Sequence, residues 1–335
     1  MSSQQSYPHW LEQYVQLVDL KVSSLFGTGD SSLDMAVNES LSGGKRVRAV
    51  LALLWCEGIS GDRNTALPVA VAYELAHAAA LVQDDILDNS EKRRGEKSIV
   101  RKHGLKSAML ASNMLLAQVP RVISEYGLHK SGGEVLRKLF ELLGDSFGAT
   151  VMGEFLDLEM AEKDRVEQAD YEYMIRMKTG ALIGASSASG VVVGGGLNDE
   201  RLLAAAYTSG EWLGMAYQVQ DDLLDIVGDE KTLGKPIFAD IRGGKKNAVL
   251  IHTIERSSER DREFLRELLS KRGPFVQSEV ERVRELLIEH DSIEYAKRLA
   301  ALYADNARKV VESAEIGDAR RKINELSNFL ASRKY

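Results

Sequence analysis

Val71-Ala72-Tyr73-Glu74-Leu75-Ala76-His77-Ala78-Ala79-Ala80-Leu81-Val82-Gln83-Asp84-Asp85-Ile86-Leu87-Asp88 is a long apolar run that ends in an aspartate pentad. The pentad recurs as Asp221-Asp222-Leu223-Leu224-Asp225, again closing an apolar stretch. At about 3.6 residues per turn, the first and last aspartates of each pentad share a helix face while the residues between point elsewhere. Four such carboxylates could face one cavity. Like charges repel and resist burial, so acids at the ends of greasy helices imply a compensating cation. Hard oxygen ligands suit Mg2+, which keeps several waters and completes its shell with substrate phosphates.

Working outward, apolar residues recur at spacings of three and four in Trp10 to Phe26, Val47 to Cys56, Val135 to Met160, Leu202 to Ile226, Val280 to Ile288 and Tyr295 to Val311. No comparable alternating strand pattern occurs. Of the five prolines, at positions 8, 68, 120, 236 and 274, none falls between 121 and 235, which favours helices there. Thr65 is expected to cap the helix that carries Pro68 in its first turn and runs through Val71, Leu75 and Leu81 to the first pentad. Apolar on nearly every side, that helix should be central. The Gly/Ser-rich stretch Gly184 to Gly196 is the nearest candidate for a domain boundary, but small residues that let helices approach closely explain it better. The uncharged run Gly180 to Leu197 is too short and too rich in Gly and Ser to prefer lipid. The expectation is therefore one all-α domain over residues 1–335.

Composition narrows the function classes. A chain of 335 residues with 44% hydrophobic and 28% charged residues can bury a large core. A net charge of −7 without a long basic stripe argues against a nucleic-acid surface. One cysteine, Cys56, excludes an internal disulfide, makes a reducing compartment the default and reads as a small core hydrophobe among Leu53, Leu54 and Trp55. Met1 to Trp10 shows no signal-peptide pattern, and a cytoplasmic location is expected.

Glycine stands beside basic residues near both pentads. Gly43-Gly44-Lys45-Arg46-Val47-Arg48 sets a flexible pair before cations at a helix start, a natural anion site. After the first pentad comes Glu91-Lys92-Arg93-Arg94-Gly95; after the second come Gly234-Lys235-Pro236, Asp240 and Gly243-Gly244-Lys245-Lys246. Lys178-Thr179-Gly180 adds a basic and hydroxyl pair. Charge runs are usually solvated faces, but two of these lie within a loop's reach of a carboxylate cluster. His77, about two turns before Asp84, could reach a substrate bound beside the metals, although a histidine on an apolar helix is ordinarily a satisfied core group. Gln218, three before Asp221, could bond a phosphate oxygen or support a metal-bound water; a buried structural amide is the other reading.

Taken together, the Gly-Gly-Lys-Arg-Val-Arg segment, the first pentad with Arg93-Arg94-Gly95, the Lys178-Thr179 pair, and Tyr217-Gln218-Val219-Gln220 before the second pentad resemble the trans-isoprenyl diphosphate synthases, the family of farnesyl and geranylgeranyl diphosphate synthases. The match runs from about Gly43 to Lys246. It implies antiparallel helices around a deep central cavity, the isoprenoid synthase fold, in a homodimer that uses Mg2+. It implies that Asp84, Asp88 and Asp221 hold the metals that grip an allylic diphosphate, with Asp85, Asp222 and Asp225 supporting. Arg93, Lys178, Thr179, Gln218, Lys235 and Lys245 would contact that diphosphate. Lys45, Arg48, His77 and Arg94 would hold isopentenyl diphosphate. The implied reaction is head-to-tail condensation to a linear all-trans polyprenyl diphosphate.

Chain length in this family is set by bulk on the helix before the first pentad. Here Ala79, Ala80 and Ala76 are small, and the first large side chain is Tyr73, about 16 Å before Asp84 at about 1.5 Å per residue. The expected product is C20 to C30, with C25 favoured. The chain departs from the family at Ala49, where proline is common, at Gln83, where histidine is common, and at Ser112-Asn113, where Gly-Asp is common. Two other readings stay in view. A class I terpene cyclase normally has Ser or Thr and then Glu where this chain has Asp225 and Asp229, and a noncatalytic regulatory subunit tends to lose one pentad, whereas both are intact.

Overall fold

The structure, a computed structural model, describes residues 8–26, 31–129, 132–228, 238–271 and 275–332. In chain order its helices are α1 (His9–Ser23), α2 (Ser32–Ser40), α3 (Val47–Ser60), α4 (Leu67–Leu87), α5 (Ile99–His129), α6 (Gly133–Glu162), α7 (Gln168–Ile175), α8 (Ala181–Val191) and α9 (Glu200–Val227). There follow α10 (Ala239–Arg242), α11 (Ala248–Arg256), α12 (Glu259–Lys271), α13 (Gln277–Glu289), α14 (Ser292–Glu312) and α15 (Gly317–Ser332). Single π turns at Arg176–Gly180 and Val192–Gly196 flank α8.

The expected helices all form. The start of α4 differs from expectation. Asp62 accepts the Asn64 N–H at 3.0 Å and the Thr65 hydroxyl at 3.2 Å, so Thr65 is spent in a 3-10 turn over Arg63–Ala66. That turn pushes the start of α4 to Leu67, with Pro68 still in its first turn. The spacing also missed α5, whose pattern is broken by a kink at Gly104 (φ 80°, ψ 162°) and by Pro120 inside the helix. Short strands β1 (Lys92–Arg93) and β2 (Glu96–Lys97), likewise unforeseen, pair antiparallel with Lys92 opposite Lys97. Their two-residue connection, Arg94 (φ 53°) and Gly95 (φ 81°), has the left-handed backbone that tight hairpins require.

Helix α4 is central: it packs against α5, α3 and α8, with further contacts to α1 and α6. Val71, Tyr73 and Leu75 on it are fully buried, and side chains of that size contribute roughly 1.5–3 kcal/mol each on burial. The span Arg63–Leu87 is long and apolar enough to cross a membrane by composition, but 67% of its apolar window is buried within the protein, as befits a core helix. The small-residue stretch around Gly184 lies in α8, buried throughout between α3, α6 and α9. There Ser186 Oγ donates to the Arg48 carbonyl at 2.8 Å, a contact that a larger side chain would prevent. One apolar cluster surrounds α3, α4, α5 and α8; a second joins the C-terminal half of α9 to α11 through α14. Trp212 on α9 packs against both.

Candidate active site

The first pentad closes α4, with Asp88 as its C-cap, and among the described residues Arg93, Lys178 and Lys245 surround it. Arg93, presented by β1, donates from Nη2 to Asp84 Oδ2 at 2.5 Å and to Asp85 Oδ1 at 2.6 Å. Lys178 Nζ lies 3.3 Å from Asp84, 2.9 Å from Glu154 and 2.8 Å from Asp157. Lys245 Nζ lies 2.6 Å from Asp88 and 3.5 Å from Asp157. Burial alone would raise the Asp84 carboxyl, but Lys178, Lys245 and Arg93 outweigh it and hold it far below the ordinary range. The same burial wins at Asp88 and Asp85, which are raised. Lys178, whose burial would lower it, is raised well above the usual amine by Asp84, Asp157 and Glu154.

Lys178 owes its place to the π turn, which carries Lys178-Thr179 toward the carboxylates, and to Gly153 on α6. A Cβ on Gly153 would stand 2.2 Å from the Lys178 backbone nitrogen, so only glycine permits that approach. Glu154 and Asp157 were not anticipated. Both lie on α6, three residues apart on one face, an acidic pair inside an apolar periodic run that could have flagged them.

Among the described residues, the second pentad, at the end of α9, meets different partners. Tyr171 donates to Asp222 Oδ2 at 2.6 Å, and Gln218 Nε2 donates to Asp222 Oδ1 at 2.9 Å. Thr179 in turn donates to Gln218 Oε1 at 2.8 Å. Burial and the nearby Asp240 charge push the Asp222 carboxyl up to about 8. Asp225, expected to face the cavity with Asp221, is 1% exposed, and its Oδ2 accepts the Asp240 backbone N–H at 3.1 Å. Its side chain thus fastens the turn before α10 rather than presenting that oxygen to a ligand. Lys235 and Asp229 lie outside the described residues.

A separate cluster of basic side chains gathers around His77, and Arg93 of the first group acts on it as well. Arg48, buried in the first turn of α3, has no hydrogen-bond partner for its Nε. Arg94 donates to the Ser42 carbonyl at 2.5 Å and spreads over Gly44, where φ is +100° and a Cβ would stand 2.8 Å from its Nη2. His77 is held well below the usual imidazole value by burial and then by Arg48, Arg94, Arg93 and Arg46, so it is neutral near pH 7. Lys45 is half-buried at the start of this segment. An orphaned buried guanidinium nitrogen among like charges is the mark of an anion site.

Between α4 and α6 lies an apolar cavity of about 220 Å3, lined by Ala80, Gln83, Leu87, Thr150, Glu154 and Phe155 among others. Ala76 and Ala79 are buried further along α4, and Tyr73, fully buried, bonds Ser189 Oγ at 2.9 Å. Two of the departures noted in the sequence compensate each other: Gln83 Nε2 donates to Ser112 Oγ at 3.0 Å, and Ser112 Oγ donates to the Ala79 carbonyl at 3.2 Å.

Comparison with known proteins settles the family. The polyprenyl synthetase family model matches residues 30–287. The chain belongs to the polyprenyl synthetase family. A short chain isoprenyl diphosphate synthase of Methanothermobacter thermautotrophicus is 32% identical over 97% of this chain and 98% of that protein. A geranylfarnesyl diphosphate synthase of Aeropyrum pernix is 31% identical over 86% of this chain and 89% of its own length. The crystal structure of a polyprenyl synthase from Caulobacter crescentus, complexed with calcium and isoprenyl diphosphate, superposes with a TM-score of 0.87 at 29% identity, covering 97% of this chain and 96% of that one. This polyprenyl synthetase has the all-α isoprenoid synthase fold and is a prenyltransferase. Its family generally depends on a divalent metal. Among the described residues no three His, Cys, Asp or Glu side chains converge on one point as a ready-made metal cage. Lysine and arginine stand between the carboxylates. The donor set still fits a hard divalent cation: Asp84, Asp88 and Asp221 offer only oxygen, and a metal can take the place of the side-chain cations that now neutralise the first pentad.

Proposed function

We propose that this enzyme condenses isopentenyl diphosphate with an allylic diphosphate, head to tail, to give a linear all-trans polyprenyl diphosphate of C20 to C30, with C25 favoured. The observation that carries the reading is two groups of cationic side chains of different kind, one paired to the carboxylates of the first pentad and one formed by Arg48, with an unmet donor, and Arg94 beside neutral His77. Two groups suit two diphosphates. Asp84, Asp88 and Asp221 would hold Mg2+, which when bound supplies charge that stabilises the departing diphosphate. Arg93, Lys178 and Lys245 bond the allylic diphosphate as they bond the carboxylates here, with Thr179 and Gln218 beside them. Lys235 belongs to this set by resemblance. Lys45, Arg48, Arg94 and neutral His77 hold isopentenyl diphosphate so that its double bond faces the allylic carbon. The cavity walls exclude water, which would otherwise quench the cation. Carbon–oxygen cleavage releases diphosphate, the double bond attacks the allylic carbon, and the proton then lost passes to the released diphosphate.

The growing chain extends along α4 past Ala80, Ala79 and Ala76 to Tyr73, whose bond to Ser189 pins it as a floor. The geranylfarnesyl relative supports the C25 preference. Large apolar side chains exposed on α5 and α6, among them Leu105, Met109, Met114, Phe140 and Met152, support a homodimer through that face. Cys56, the one cysteine of the chain, is buried and can form no internal disulfide, which supports a reducing cytoplasm. The chain works as a single domain, supported by the shared packing of Trp212.

The test is to supply labelled isopentenyl diphosphate with C5, C10, C15 and C20 allylic primers and Mg2+, and to measure product mass. A linear C20 to C30 ladder is expected. No elongation would favour the regulatory subunit, and a cyclic hydrocarbon the terpene cyclase.

A further inference from the structure

Glu74 belongs to neither substrate set, yet it stands 3% exposed on α4, three residues before His77 and among the arginines of the second cluster. Both of its oxygens are engaged. Oε1 accepts the Ala49 backbone N–H at 3.1 Å, and Oε2 is 3.4 Å from Arg46 Nη1. Arg46 also donates from Nε to Asp19 at 2.8 Å and from Nη2 to the Leu41 carbonyl at 2.5 Å, and its backbone is left-handed (φ 52°). The middle cation of the Gly43 to Arg48 segment is therefore tied into the protein.

The residue at the N-cap of α3 makes no side-chain cap bond, so the first-turn N–H groups of that helix lack a local acceptor. Ala49 has an N–H where a proline would have none, and Glu74 caps it from another helix. One carboxylate thus joins the start of α3, which carries Arg48, to the helix that carries His77. It also sets a negative charge against Arg48, whose buried guanidinium it favours in the charged form.

We propose that Glu74 is a positioning residue for isopentenyl diphosphate. It holds Arg48, through the Ala49 N–H and Arg46, in one frame with His77, and it limits the mutual repulsion of Arg46, Arg48 and Arg94 before a diphosphate arrives. This rests on the proposed function of the second cluster. Lost alignment is felt by the substrate that this cluster binds and not by the one gripped at the first pentad.

The test is steady-state kinetics of wild type, Glu74→Gln and Glu74→Asp with Mg2+, each substrate varied in turn, alongside thermal unfolding. Glu74→Gln keeps the shape and loses the charge. It is expected to raise KM for isopentenyl diphosphate about ten-fold while kcat and the allylic KM change less than about two-fold. Glu74→Asp, which keeps the charge but cannot reach both partners, should raise the same KM about three-fold. If Glu74→Gln does not fold, Glu74→Asp carries the test alone. An unchanged KM for isopentenyl diphosphate, or an equal rise in both KM values, would overturn the proposal. Wild type run in parallel separates the two claims: no elongation by wild type sinks the proposed function, whereas normal elongation with an indifferent Glu74 sinks only the positioning role.

Discussion

Two pentads of nearly identical sequence meet different partners among the described residues. The first is ringed by Arg93, Lys178 and Lys245, and Asp84 is strongly held in its charged form. The second is met by a phenol, an amide and a backbone N–H, and Asp222 is pushed up to about 8. The same five-residue pattern thus contains a carboxylate held in its charged form at Asp84 and, at Asp222, a carboxyl raised by burial and hydrogen-bonded to a phenol and an amide. Long-range partners, not the motif, decide which.

The comparison is broken most directly by removing one acid from each side. Asp84→Ala should lower kcat about 1,000-fold or more, whereas Asp222→Asn, which mimics the protonated acid, should lower it about ten-fold; equal losses would erase the distinction. Next, Lys178→Met strips the charge shared by Asp84, Glu154 and Asp157 and should destabilise the metal-free protein by about 3–5 kcal/mol in denaturant titrations. Mg2+ with pyrophosphate should restore part of that loss, and no recovery would show that the lysine is not standing where a metal can serve.

Smaller effects sharpen the contrast. Burial raises the Asp222 carboxyl in the fold above its unfolded value, so the fold binds the extra proton and loses that stability as pH rises from about 4 toward about 8. Between pH 5 and 8.5 the Tm of the metal-free wild type should therefore fall by several degrees more than that of Asp222→Asn. A parallel decline in both would remove Asp222 as the cause. Finally, Ala80→Phe, in the wall of the α4–α6 cavity, should shorten the product by at least one isoprene unit with kcat changed only a few-fold, as mass spectrometry would read. Unchanged product length would place the limiting wall elsewhere.

What was legible in the sequence was local. The pentads, Lys178-Thr179 and Gly43 to Arg48 are contiguous patterns, and apolar periodicity gave the long helices that present them. What escaped notice depends on distant partners. Glu154 and Asp157 matter because α6 brings them to Lys178, and Tyr171 because α7 brings its phenol to Asp222. Asp225 follows the spacing rule for a ligand, and the bond of its Oδ2 to the Asp240 backbone N–H is a partner that spacing does not show. Thr65 looked like a cap because its residue type fits, and the competing Asp62 turn took its hydroxyl. Gln83 and Ser112 looked like two separate departures, and only the packing of α4 on α5 shows that they answer each other.

Turnover of labelled isopentenyl diphosphate with an allylic primer, measured as Mg2+ is titrated in and then removed by chelator, in wild type and Asp84→Asn, tests the central claim most directly. Elongation should rise with the metal and stop with chelator in wild type, and should be nearly lost in Asp84→Asn at every metal concentration. Undiminished elongation in chelator, or in Asp84→Asn, would contradict the picture of a carboxylate grip whose charge is neutralised by metal during catalysis and by lysine and arginine at rest.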